Sequence, residues 1–251
     1  MPQPNSKRIN HERYDAVLFD LDGVITNTAT LHAACWKKMF DEYLRRHAEQ
    51  SGERFRPFDL AEDYRLYVDG KPRFDGVRDF LSSRRIRLPE GSPDDPAEFE
   101  TVCGLGNRKN ELINGLIERM GVEPYDGSVR LIHHLRRDGF KIAVVTSSQN
   151  CAAVLKAAKL DDFFEVRVDG NTIEAKGLAG KPAPDTFLMA ARLLGAELPR
   201  TVVIEDAISG VEAGSNGNFG LVIGVARKGN AEELQRHGAN LVVEDLGELV
   251  D

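Results

Sequence analysis

The 251-residue chain is poor in cysteine, with only Cys35, Cys103 and Cys151. They are isolated and lack metal-ligand spacing, which excludes a disulfide framework and a cysteine-based metal finger and fits a reducing compartment. Long apolar runs are missing too: no stretch approaches the ~18 apolar residues that a membrane span needs. The amino-terminal MPQPNSKRINHERYD is polar and has no apolar centre, so it does not read as a secretory signal. A cytoplasmic location is expected, with no membrane partner. There is no excess of positive charge: 33 Lys and Arg against 40 Asp and Glu leave a net charge of −7. That balance argues against generic binding to nucleic acid or anionic lipid. No internal repeat or low-complexity segment occurs. What remains, 41% hydrophobic and 29% charged residues, is ordinary for a globular protein with a sizeable core.

Short apolar runs recur at 16–19, 142–145, 202–204, 221–225 and 241–243. They are rich in β-branched residues and do not alternate, as expected of parallel strands buried on both faces. Between them, 128–137, 151–158 and 184–194 carry helical patterns. The last opens on Pro184 and Asp185, which suit a helix start. Strand–helix alternation from Val129 onward predicts an α/β fold, a doubly wound parallel sheet with right-handed crossovers. Residues 28–121 break this rhythm. They read as helices over 29–46, 77–84 and 110–120, with 90–96 (EGSPDDP) as a surface loop. The expected organisation is a core of residues 1–27 and 122–251, with a helical domain of residues 28–121 inserted after the first strand.

Open α/β sheets build their sites beyond the carboxyl ends of the strands. After AVLF come Asp20 and Asp22; after IAVV come Thr146, Ser147 and Ser148; after VVI come Glu205 and Asp206; Lys181 stands ahead of a helix in GKPAPD. Each alone has an ordinary explanation. An aspartate after a strand is usually a turn or cap, a lysine before proline is often solvated, and Thr146–Ser148 could simply cap the next helix. Those readings do not explain why all four groups fall at the same end of consecutive strands. A calcium loop is excluded, because Gly23 stands fourth and Val24 fifth where that loop needs glycine sixth and an oxygen ligand fifth. Clustered carboxylates repel unless a cation sits among them, and hard oxygen donors suit Mg²⁺. Lys181 and Thr146 would hold phosphate oxygens. One carboxylate, Asp20, could then attack phosphorus while Asp22 exchanges a proton, with Gly23 making the tight turn.

DLDGVIT, VVTSS, GKPAPD and VIEDAISGVEAG resemble the four ordered motifs of the haloacid dehalogenase superfamily. The resemblance implies Asp20 as nucleophile, Asp22 as general acid/base, Thr146 and Lys181 as phosphoryl ligands, and a Mg²⁺ ion held by Asp20, the carbonyl of Asp22, Glu205 and Asp206. Within that superfamily the chain is most similar to the β-phosphoglucomutase-like family. DLDGVITNTATLH resembles its first motif through Thr28 and His32. GKPRFDGVRDFL resembles its cap loop, placing Arg73 on the substrate's distal phosphate with Gly70 and Lys71 beside it. RKN places Lys109 where the family's lysine works with His32 to couple cap closure to Asp22. TSSQN resembles the substrate-side loop, with Ser148 and Asn150 matching. Gln149 stands where the family usually has lysine, Asp69 and Lys71 alter the charge of the cap loop, and the 46–72 stretch is longer than in compact members.

The implied activity is a Mg²⁺-dependent phosphomutase that interconverts β-glucose 1-phosphate and glucose 6-phosphate through an aspartyl phosphate and a bisphosphate. A sugar-phosphate phosphatase on the same residues is the alternative, and a non-catalytic binding module a minor one. A small-molecule sugar phosphate is the expected partner of a monomer, working beside a glycosyl phosphorylase. Trp36 reads as packing, and Arg78, Arg84 and Arg85 as a solvated face.

Overall fold

The computed structural model describes residues 9–227 and 229–250. The first eight residues of the polar amino-terminal stretch therefore lie outside the described part. In chain order the main elements are β1 (Ala16–Phe19), α1 (Ala29–Ser51), α2 (Arg73–Ser83), α3 (Val102–Met120), α4 (Asp126–Arg137), β2 (Lys141–Val145), α5 (Cys151–Ala157), β3 (Val166–Val168), α6 (Gly170–Lys176), α7 (Asp185–Leu194), β4 (Thr201–Glu205), α8 (Ile208–Asn216), β5 (Leu221–Val225), α9 (Ala231–Arg236) and β6 (Leu241–Val243). They form two compact units: one from residues up to Asn27 and from Val122 on, the other Thr28–Gly121.

The first unit is a six-stranded sheet in the order β3-β2-β1-β4-β5-β6, with every pairing parallel. β1 and β4 are buried along their whole length, as apolar β-branched runs require when helices cover both faces. Leu18, Val145, Val203, Phe187 and Val211 meet in its core. Phe19 is in register with Val144 of β2 and Ile204 of β4. The residues that follow these strands therefore leave the sheet at one edge. β3 has no counterpart in the sequence reading. It is a three-residue edge strand with a half-exposed start, too short to give a pattern.

The second unit is helical. Its core is aromatic: the Phe40 ring lies 5.1 Å from Phe58 and 4.1 Å from Phe80, and Trp36 stacks on Phe40 at 5.3 Å. Trp36 is thus packing, as read. Three helices run longer than their sequence patterns. α1 continues past Arg46 through the polar HAEQS to Ser51 and ends on Gly52, in the left-handed region. α2 begins at Arg73 and α3 at Val102. The start of α3 was hidden by Gly104 and Gly106, which weaken a helical pattern; the Thr101 side chain, accepting from the Gly104 N–H, fixes it. A π-helical turn over Tyr64–Val68 occupies part of the lengthened 46–72 stretch. The solvated-face reading fails for Arg84: its side chain is only 13% exposed, pairs with Asp63 at 2.5 Å and lies over Phe80. Arg78 is exposed but bridges Asp75 and Glu90. Among the described residues, no helix is long and apolar enough to cross a membrane.

Candidate active site

At the carboxyl edge of the sheet, the backbone of Asp20 continues the ladder, its N–H donating to Ile204 O at 3.0 Å. Lys181 is fully enclosed. Its ammonium donates to Asp20 Oδ1 at 2.6 Å, Glu205 Oε1 at 2.6 Å and Val145 O at 3.1 Å. The other Glu205 oxygen accepts from the N–H groups of Asp206 and Ala207, at 3.0 and 3.2 Å. Glu205 therefore anchors the lysine and the turn after β4 as well as facing the carboxylate cluster.

The electrostatics follow from burial. Desolvation pushes the Asp20 carboxyl well above its usual range; Lys181 opposes this, and Glu205, Asp22 and Asp206 add to it. Burial also disfavours the Lys181 ammonium, but Asp20 and Glu205 outweigh it and hold its pKa above the usual value. One ammonium does not balance this group of carboxylates. Asp20, Glu205 and Asp206, all buried, each bring an oxygen to within 4.8 Å of the others. An all-oxygen anionic donor set of this kind fits a hard divalent cation.

Gly23 makes the turn behind Asp22. Its φ is +97°, and a Cβ there would lie 2.2 Å from Asp206 Oδ2. Only glycine permits both the backbone angle and the approach of Asp206. Across the edge, Thr146 Oγ1 donates to Asp22 Oδ2 at 3.3 Å and accepts from the Ser148 N–H at 3.1 Å. Ser148 Oγ accepts from the Asn150 N–H, and the Ser148 carbonyl accepts from the Gly170 N–H. Ser147 sits in the same loop, its carbonyl packed on Gly170. Gln149 is drawn aside, donating to Glu174 Oε2 at 2.9 Å. The structure thus gathers Asp20, Asp22, Thr146, Ser147, Ser148, Asn150, Lys181, Glu205 and Asp206 at one edge. Cys151, beside this loop, is buried and free, and burial raises its thiol pKa, which makes it unreactive.

The helical unit holds a second cluster. Thr28 precedes α1 and its carbonyl accepts from the His32 N–H. The Lys109 ammonium, buried in α3, meets His32 Nδ1 at 2.9 Å and lies 4.9 Å from the Trp36 ring centroid. With Nδ1 accepting, a neutral ring carries its proton on Nε2. Gly70, at φ +72°, turns the chain ahead of α2. Lys71 is engaged within its own unit, donating to Asp79 at 2.6 Å and to the Leu66 carbonyl. Arg73, at the start of α2, donates to Asn107 Oδ1 at 2.9 Å, and its guanidinium lies 4.4 Å from the Phe74 ring centroid. The sequence reading missed Asn107. Its signal was the GNRKN stretch, where it stands two residues before Lys109.

The sequence model of the haloacid dehalogenase-like hydrolases matches residues 14–218. The chain is 54% identical over 242 residues to a β-phosphoglucomutase of Mycobacterium tuberculosis, covering 95% of this chain and 92% of that one. It is 40% identical over 238 residues to an uncharacterized glycosyl hydrolase of the same species, covering 95% of this chain but 18% of that longer protein. Among solved structures it is similar to a β-phosphoglucomutase from Clostridium difficile, with a TM-score of 0.73, 26% identity, and coverage of 94% and 93% of the two chains.

Proposed function

We propose, on the premise that this chain belongs to the haloacid dehalogenase-like hydrolase family and to its β-phosphoglucomutase group, that it interconverts β-glucose 1-phosphate and glucose 6-phosphate. The observation that carries the phosphoryl-transfer chemistry is the buried Lys181 joining Asp20 to Glu205 beside Asp206, and the likeness to β-phosphoglucomutases supports the sugar as acceptor. It sets one carboxylate against a buried ammonium, within an oxygen cluster that a divalent cation would neutralise for the approach of an anionic phosphate.

Asp20 Oδ attacks phosphorus and the substrate oxygen leaves, giving an aspartyl phosphate. Asp22 protonates that oxygen and later takes the proton from the incoming sugar hydroxyl. Lys181, Thr146 and the 147–150 loop hold the transferring phosphoryl group. Mg²⁺, on oxygens of Asp20, Asp22, Glu205 and Asp206, would neutralise charge and polarise the phosphoryl oxygens. The helical unit acts as the cap. His32 and Lys109, with Thr28 at the cap's entry, couple closure to Asp22, and Arg73 beside Gly70 grips the distal phosphate. Lys71, paired with Asp79, stands beside Arg73 on the substrate-phosphate side of that loop. Water exclusion preserves the aspartyl phosphate for the bisphosphate intermediate. We further read the chain as a cytoplasmic monomer working beside a glycosyl phosphorylase, which would supply the sugar 1-phosphate.

The competing reading is hydrolysis. The neutral Gln149, tied to Glu174, leaves the substrate-side loop without the family's lysine and favours it. Phosphorus NMR separates the two. With Mg²⁺, β-glucose 1-phosphate and a trace of glucose 1,6-bisphosphate, the mutase yields glucose 6-phosphate. Accumulation of free phosphate would assign the phosphatase.

A further inference from the structure

The 90–96 stretch looks like a plain exposed loop, and the helical unit ties it to Arg73 through one side chain. Both N–H donors and the oxygen of the Asn107 amide are engaged in this network. Its Nδ2 donates to Pro93 O at 2.9 Å and Asp95 O at 2.8 Å, while its Oδ1 accepts from Arg73 Nη2 at 2.9 Å. The loop is braced from its far end as well: Thr101 Oγ1 donates to Asp95 Oδ2 at 2.6 Å and caps α3. The guanidinium has a second wall, the Phe74 ring at 4.4 Å. That ring in turn rests on Gly106, where a Cβ would come within 2.6 Å of it. Arg73 is therefore held by an amide oxygen at one N–H and by an aromatic ring beside its guanidinium, each set by the GLGN stretch of α3.

We propose that Asn107 is a positioning residue that fixes the Arg73 guanidinium for the distal phosphate of the sugar phosphate, with the 90–96 loop as its brace. This rests on the reading of Arg73 given above. The decisive atom is Oδ1. A residue that only stapled the loop would need its two donors; the acceptor serves the arginine alone. A pre-oriented guanidinium loses less side-chain freedom when phosphate arrives.

The test is a cycle of Arg73→Ala, Asn107→Leu and the double variant. It is assayed on β-glucose 1-phosphate with bisphosphate and on p-nitrophenyl phosphate, with free guanidinium ion added at sub-denaturing concentration. Asn107→Leu is expected to raise KM for the sugar phosphate between about two- and tenfold, with a much smaller effect on the aryl ester. In the Arg73→Ala background it should add no further loss. Guanidinium should restore sugar-phosphate turnover to Arg73→Ala and fail to do so in the double variant, a contrast that loop stapling alone would not produce. Additive losses, or rescue that is indifferent to residue 107, would overturn the proposal. If Arg73→Ala damages both substrates alike, the distal-phosphate reading of Arg73 is wrong, and the rescue contrast still decides whether Asn107 holds the guanidinium.

Discussion

At Gly23 and Lys181, single atoms decide whether the carboxylates can converge. A methyl group at position 23 would strike Asp206 Oδ2 and occupy a backbone angle of +97°. Gly23→Ala should therefore lower kcat/KM by at least about tenfold, with an increased metal requirement, because Asp206 must move. Metal titration against initial rate checks this; wild-type metal dependence would show that Asp206 does not need that approach. Removing the Lys181 ammonium leaves two enclosed carboxylates facing each other. Lys181→Ala should cost about 3–5 kcal/mol in stability, measured by denaturant unfolding, as well as activity. Asp22→Asn should slow transfer to the sugar hydroxyl far more than it weakens Mg²⁺ binding, since the metal is expected to use the backbone carbonyl there. A collapse of metal affinity with normal transfer would contradict the proton-transfer role.

Elements show how much the sequence could tell and why the rest was hidden. The runs AVLF of β1 and VVI of β4 were readable because a strand covered on both faces has no polar position to blur its centre. β3 was not, because VRV is a short edge with one exposed side. The early start of α3 was masked by glycines that the packing demands: Gly104 lies on the Phe99 carbonyl and Gly106 on Phe74. The strand-end residues were legible from their shared position alone. The cap residues were not: without the likeness to a known family, His32 would have read as a surface histidine and Arg73 as solvated. Asn107 escaped both routes, since its role depends on a loop that folds back over many residues. The aromatic centre of the helical unit belongs to this scale too. Phe40→Ala, which removes a fully buried ring, should cost about 3–5 kcal/mol. Differential scanning calorimetry should place the loss in the transition of residues 28–121.

For the molecule as a whole, phosphoryl transfer should depend on charge neutralisation around Asp20. Chelation of divalent ions should abolish turnover without unfolding the chain, with Mg²⁺ restoring it; far-ultraviolet circular dichroism and activity, read together, check both halves. The most direct measurement is to quench the working enzyme in acid and locate the acid-stable phosphate by peptide mass mapping. An aspartyl phosphate is expected on the peptide that carries Asp20, absent from Asp20→Ala and from enzyme without Mg²⁺. Phosphate on another residue, or full turnover by Asp20→Ala, would contradict the nucleophile role of Asp20.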